Sequence, residues 1–327
     1  MLALLLGPVA LAVIGSFVGL FYLGIDRQVV ARMQSRVGPP VVQPFRDVSK
    51  LLMKENIVPE GALRWLFHIS PVLCVVGSAA LLLYIPLFGR QALFAGSGDL
   101  ILVIYLLMVP SLALVIGGFA SSSPYATVGA QREMVIMIGY EFPLAVTAVS
   151  LAWRVLQVTD GHAFAFSMLA QYPVWDLVGP VGFVGAILLL AALLAVTPGE
   201  LGRIPFDIAE AETELAGGLL VEYSGRNLAL YYLGNAIRGF AVLSLVVALF
   251  FPYNISAAAG IPGGIWAVLA DGAFFLVKVF AVMFVAVALV RAAMARFKVT
   301  QASTFYVAGM TAVSLIGLLL LWVDFVI

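Results

Sequence analysis

Between Pro198 and Asn227 the chain sets six carboxylates, Glu200, Asp207, Glu210, Glu212, Glu214 and Glu222, against two guanidinium groups, Arg203 and Arg226, for a net charge of −4. Crowded carboxylates repel one another, so some hold protons more tightly than isolated ones and exchange them when a nearby charge changes. The chemistry open to such a run is proton or cation uptake. Asp207 followed by Glu210 has the spacing of a helix N-terminal cap. This predicts a short helix from Pro205-Phe-Asp207 to the Gly217-Gly218 pair, with Glu210 and Glu214 on one face. A simply solvated acidic face is the plainer reading of the same residues.

A second set of ionisable groups lies inside apolar runs. Glu141 sits in Met137-Ile-Gly-Tyr-Glu-Phe-Pro143, where Gly139 and Pro143 loosen the backbone and admit water. A charged side chain at the centre of a membrane helix costs about 2.5–3.5 kcal/mol on insertion scales, so it must face protein or water. Arg238, Asp271 and Lys278 occupy similar surroundings and are expected to partner one another. Each could be a structural ion pair between helices. For Glu141 and for a desolvated Lys278 near the midplane, a step in a proton path is the sharper reading.

The elements that must hold these groups are membrane helices. Of 327 residues, 63% are hydrophobic and 10% charged, against about a quarter charged in soluble domains. That composition excludes a soluble enzyme, a coiled coil and a disordered chain, and zero formal net charge gives no field to attract nucleic acid. Eight apolar runs reach the about 20 residues that span a bilayer: 3–23, 65–88, 100–119, 134–153, 177–196, 229–251, 264–290 and 304–326. The expected fold is all-α, one polytopic membrane domain over residues 1–327. Thirteen of the 17 basic residues fall in odd-numbered connections, so the large loops are expected to be cytoplasmic and both termini outside. One cysteine, Cys74, precludes an internal disulfide and a cysteine-ligated iron–sulfur cluster. Cys74 and His162 are read as non-functional, His68 as an interfacial anchor, and no metal site is expected.

The first cytoplasmic loop, residues 24–64, carries a net charge of +3. Within it, residues 43–55 place Phe45, Val48, Leu51 and Leu52 on one helical face and Arg46, Asp47, Lys50 and Lys54 elsewhere, with Pro44 in the first turn. This is an amphipathic interfacial helix, suited to anionic lipid or to a partner protein. Upstream, a Gly-Pro-Pro turn at 38–40 fixes the backbone beside Arg32 and Arg36, as a docking surface requires.

Three motifs carry a resemblance over essentially the whole chain. They are Arg32-Met-Gln-Ser-Arg36-Val-Gly-Pro-Pro40 running on through Gln43-Pro-Phe-Arg-Asp47 to Lys54-Glu55, then Gln131-Arg-Glu-Met-Val-Ile-Met-Ile-Gly-Tyr-Glu141, and Glu200-Leu-Gly-Arg-Ile-Pro-Phe-Asp207 running on to Glu214 and Glu222-Tyr-Ser-Gly225. Together they resemble the membrane heel component of respiratory complex I, its H subunit in bacteria, and its relatives in energy-converting [NiFe]-hydrogenases. The short Gly38-Pro-Pro-Val-Val-Gln-Pro44 stretch is similar to the hydrogenase-type branch.

The resemblance implies a subunit without its own redox cofactor, in the plasma membrane of a prokaryote. Peripheral hydrogenase-like large and small subunits would carry the [NiFe] centre and iron–sulfur clusters, beside antiporter-like membrane subunits. Arg32, Arg36, Asp47, Lys50 and Arg203 would dock the peripheral arm. Glu200, Asp207, Glu210, Glu212, Glu214 and Glu222, with Glu141, Arg238, Asp271 and Lys278, would form the coupling path for protons or sodium ions. One alternative makes the chain half of a quinone site lined by Tyr140, Phe142 and Phe206. Another is a stand-alone transporter with Glu141 as its ion site.

Overall fold

Long apolar runs have no polar side chains to satisfy the backbone, so the chain folds into helices that satisfy it internally. A computed structural model describes residues 2–96, 98–158, 164–261 and 263–327. His162 lies outside the described residues. The helices in chain order are α1 Leu2–Met33, α2 Gln43–Leu52, α3 Arg64–Tyr84, α4 Asp99–Ala120, α5 Pro124–Leu156, α6 Phe166–Gln171, α7 Val174–Leu177, α8 Pro180–Glu200, α9 Glu212–Leu215, α10 Gly225–Phe250, α11 Ile255–Ala258, α12 Ile265–Ala293 and α13 Val299–Val326. Eight of these, α1, α3, α4, α5, α8, α10, α12 and α13, are long and apolar enough to cross a membrane.

The eight match the eight apolar runs, but several extend beyond them. The α1 helix continues ten residues past the expected end, so Arg27 and Arg32 are helical rather than in a loop. The α5 helix starts at Pro124, ten residues before the apolar run, with Ala126, Gly129, Ala130 and Glu133 of its first turns packed against protein. The α12 and α13 helices each contain a π-helical stretch, Phe284–Ala288 and Phe305–Met310. Such stretches are common at functional sites, and the periodicity of the sequence gives no sign of them.

The most buried helix is α10, flanked by α1, α3, α4, α8 and α12. On the other side of the molecule α8 lies along α13, where Gly185 and Gly317 meet backbone to backbone. A Cβ at either would stand 2.8–3.0 Å from the other's carbonyl oxygen. Asp324 on α13 accepts the Gly179 N–H at 2.9 Å and lies 3.6 Å from the Arg154 guanidinium of α5, which clasps these helices at one end.

The amphipathic helix forms over Gln43–Leu52, three residues shorter than expected, with Pro44 in its first turn. Its apolar face rests on the protein, with Val48 packed among Leu20, Ala229 and Ala236, and the Phe45 ring 5.2 Å from Phe17.

Candidate functional site

At the centre of α10, Arg238 is 3% exposed. Its Nη2 donates to Glu200 Oε1 at 2.8 Å, to Ser111 Oγ at 2.5 Å and to the Tyr140 hydroxyl at 3.3 Å, while Nε donates to Glu200 Oε1 at 3.3 Å. Four helices thus converge on one guanidinium: α4 through Ser111, α5 through Tyr140, α8 through Glu200 and α10 itself. Removing one partner from a buried pair of this kind typically costs about 3–5 kcal/mol, because the other charge is left uncompensated.

Glu200 is the last residue of α8, where the negative end of the helix dipole disfavours a carboxylate, and Arg238 offsets that. The helix closes there with a Schellman arrangement. Gly202 at φ +56° turns the chain, its N–H reaches the Gly199 carbonyl at 3.0 Å, and the Arg203 N–H reaches the Pro198 carbonyl at 2.8 Å. The acidic segment therefore begins after Glu200, directly above the ion pair.

Beyond it the expected helix from Asp207 does not form. The chain from 205 to 211 is irregular, α9 spans only Glu212–Leu215, and Glu210 and Glu214 do not share a helical face. The acids do not stand as one repelling cluster either, because other segments supply cations. Arg296, between α12 and α13, grips Asp207 through two bonds of 2.9 and 2.6 Å. Arg132 of α5 donates to Glu214 at 2.5 Å. Glu212 faces solvent and Glu222 is half-buried. The Gly129 face of α5 carries the segment so closely that a Cβ there would stand 2.8 Å from the Ala209 carbonyl oxygen.

Glu210 turns inward. Burial pushes its carboxyl up from the ordinary range, with Arg203 opposing, and burial likewise lowers Arg203, with Asp26 opposing. Three small cavities that share lining residues lie around this pair and Arg238. One of 90 Å³ is bordered by Arg27, Asp47, Arg203 and Glu210; one of 40 Å³ by Tyr22, Asp26, Arg203 and Arg238; one of 20 Å³ by Glu133, Glu210 and Arg238. Asn235 lines all three. A site needs about 10–15 Å³ to hold a water, so each is of water size or a few times larger.

The remaining expected residues separate. Glu141 is half-buried beside Tyr140, and its Oε1 has no hydrogen-bond partner among the described residues. Arg238 stands apart with Glu200, and Asp271 and Lys278 feel each other's charge without a direct ion pair among the described residues. Asp271 accepts from the Ser256 N–H and hydroxyl at 2.8 and 2.6 Å, and the Lys278 ammonium donates to the Phe251 and Tyr253 carbonyls at 2.7 and 2.8 Å. Those carbonyls follow the end of α10, twelve residues or about 18 Å of helix from Arg238, so Lys278, midway along α12, stands well apart from the Glu200–Arg238 pair.

Of the expected docking residues, Arg32, Arg36 and Lys50 are exposed, with Arg36 donating to Gln34. Asp47 and Arg203 instead serve the interior. Asp47 accepts from Arg27 at 2.9 Å and from Gln43 at 2.8 Å, and both Asp47 and Arg203 border the 90 Å³ cavity. Tyr140 and Phe206 both pack against Tyr306, whereas Phe142 is 54% exposed on the outer face of α5.

Several members of the site go beyond what the sequence suggests. Glu133, 7% exposed, sits just before the apolar run, and its spacing of seven from Tyr140 places both on one helical face. Asn235, three before Arg238, carries the same signal. Ser111, Tyr306, Arg132 and Arg296 arrive through tertiary packing alone.

A family model described as NADH dehydrogenase matches residues 6–322. Hydrogenase-4 component C of Escherichia coli (strain K12) is 36% identical over 233 residues, 71% of each chain. The H subunit of NADH-quinone oxidoreductase from Brevibacillus brevis is 33% identical over 322 residues, 95% of this chain and 89% of its own. Among solved structures, a chain of the membrane-bound sulfane sulfur reductase, an archaeal respiratory membrane complex, is similar with a TM-score of 0.82 and 28% identity, over 97% of this chain and 99% of that one. These matches and the eight-helix fold agree: the chain belongs to the NADH dehydrogenase family and is a multi-pass membrane component of a complex I-like or hydrogenase-4-like respiratory complex.

Proposed function

We propose that this chain anchors the peripheral redox arm of a membrane-bound hydrogenase-type complex and couples its reaction to proton or sodium translocation. The observation that carries the reading is the run of three small cavities, each large enough for water, bordered in turn by Glu210, by Glu133 and by Arg238 of the buried Glu200–Arg238 pair. Glu133 and Glu200 share the single guanidinium of Arg238, with Glu141 one position beyond Tyr140. The surplus negative charge provides places for protons or cations to occupy and leave. A change of charge at the arm, above the Glu210 segment, would alter that occupancy. The exposed Arg32, Arg36 and Lys50 form a basic surface for docking.

The short Gly38–Pro44 stretch and the identity to hydrogenase-4 component C support the hydrogenase-type branch, with its [NiFe] centre and iron–sulfur clusters in partner subunits. A second reading, half of a quinone site, is favoured by the identity to the NADH-quinone oxidoreductase chain along nearly the whole length. In that case Tyr140, Phe206 and Tyr306 would form its aromatic wall.

The intact complex, purified through a tag on this chain, distinguishes them. Nickel with iron and viologen-linked hydrogen evolution is expected, and iron without either would transfer the assignment to a related reductase or to the quinone reading. In the same preparation Glu133→Gln is expected to keep redox turnover while losing ion pumping into proteoliposomes. Full pumping in an assembled Glu133→Gln complex would refute the path.

A further inference from the structure

Away from the acidic segment, a cavity of 170 Å³ opens between the connection that follows α3, the start of α4, α6, the end of α10 and the middle of α12, with roughly ten times the space that one water needs. The coupling path does not use it. Its charged lining is Lys278, Arg90 and Asp99.

The acid is already compensated. Asp99 stands in the first turn of α4 and accepts the Phe166 N–H at 2.9 Å and the Gly96 N–H at 3.4 Å. The cations form no direct ion pair among the described residues, although Asp271 lends Lys278 some opposing charge. An ammonium has three N–H donors, and Lys278 gives two, to the Phe251 and Tyr253 carbonyls; the third is not committed to a hydrogen bond, with the Phe274 ring 5.0 Å from Nζ. Arg90 has no side-chain partner among the described residues, nor has Gln91 beside it. Asp271, the nearest other acid, has both oxygens bound to Ser256. The charged groups with donors to spare are thus cationic, beside the neutral Gln91 and Ser167, whereas the opposite wall is apolar, with Phe251 and Phe275. Tyr253, whose carbonyl Lys278 binds, is exposed beside the cavity, as aromatic residues often are near lipid headgroups.

We propose that this cavity binds a phosphate group through Lys278 and Arg90, presented either by an anionic phospholipid headgroup or as free phosphate. A guanidinium and an ammonium offer charge-assisted donors to its oxygens, and the apolar wall suits the glycerol side of a headgroup. The inference is independent of the coupling path, and its test leaves redox turnover and pumping aside.

The purified intact complex, delipidated, is placed in phosphatidylcholine nanodiscs. It is titrated separately with phosphatidylglycerol and with inorganic phosphate, and retained phosphorus is counted by native mass spectrometry. Wild type is expected to retain a phosphate-bearing molecule that Lys278→Met and Arg90→Gln bind about tenfold more weakly, as loss of one charge-assisted hydrogen bond implies. Retention of phosphatidylglycerol alone identifies the headgroup as the source, and retention with inorganic phosphate identifies the free anion. Equal retention by wild type and both variants, or none by wild type, overturns the site. If Lys278→Met does not assemble, the exposed Arg90→Gln decides alone, with unchanged binding overturning the proposal.

Discussion

At the residue scale the decisive group is Arg238, since its guanidinium balances charge for carboxylates from two other helices. Removing it strands Glu200 in a site that is 2% exposed. Arg238→Met is expected to destabilise the assembled complex by about 3–5 kcal/mol, and adding Glu200→Gln should recover most of that loss. Thermal unfolding of the two variants checks this, and a double variant no more stable than the single one would mean that the pair is not the cause. The sequence exposes Arg238 as a costly charge in an apolar run but reads Glu200 as part of the acidic loop, so it does not show them as partners. They stand 38 positions apart, and only the packing of α8 against α10 brings them within 2.8 Å. Glu133 is legible in principle, from its spacing to Tyr140. Read from hydropathy it falls just outside a span, which hides it.

At the element scale the eight helices are legible because their signal is additive: some twenty apolar residues outweigh any local irregularity. Their ends are less so, because polar residues such as those at 125–133 can remain helical when protein rather than lipid surrounds them. The π-helical stretch Phe305–Met310 has no signal, yet it sets Tyr306 against Tyr140 and Phe206. The acidic segment departs from its expected helix for a related reason. Capping residues favour a helix locally, but Asp207 spends its oxygens on Arg296 instead of the backbone. Helix-to-helix approach is most exacting where Gly185 meets Gly317. Gly317→Leu is expected to push α8 and α13 apart and cost about 1–3 kcal/mol or more, as overpacking does, which a lower unfolding temperature would register. An unchanged temperature would mean that the two helices separate freely.

At the scale of the whole molecule the basic residues predict that α2 and the acidic segment face the cytoplasm and the Lys278 cavity the other side. Ser49→Cys on exposed α2 and Gln91→Cys beside the cavity are reporters for this, because the native Cys74 is buried. A membrane-impermeant maleimide added to intact cells should label Gln91→Cys and spare Ser49→Cys, and the reverse pattern would invert the topology. The arrangement of the cavities has a further bearing on the direction of traffic. All three meet at Asn235, whose carboxamide both donates and accepts hydrogen bonds at any physiological pH. An amide at such a crossroads has no preferred polarity, unlike a carboxylate or a guanidinium. The junction is then indifferent to which way charge flows, and a pumping cycle built on it would take its one-way character from the order of events at its two ends.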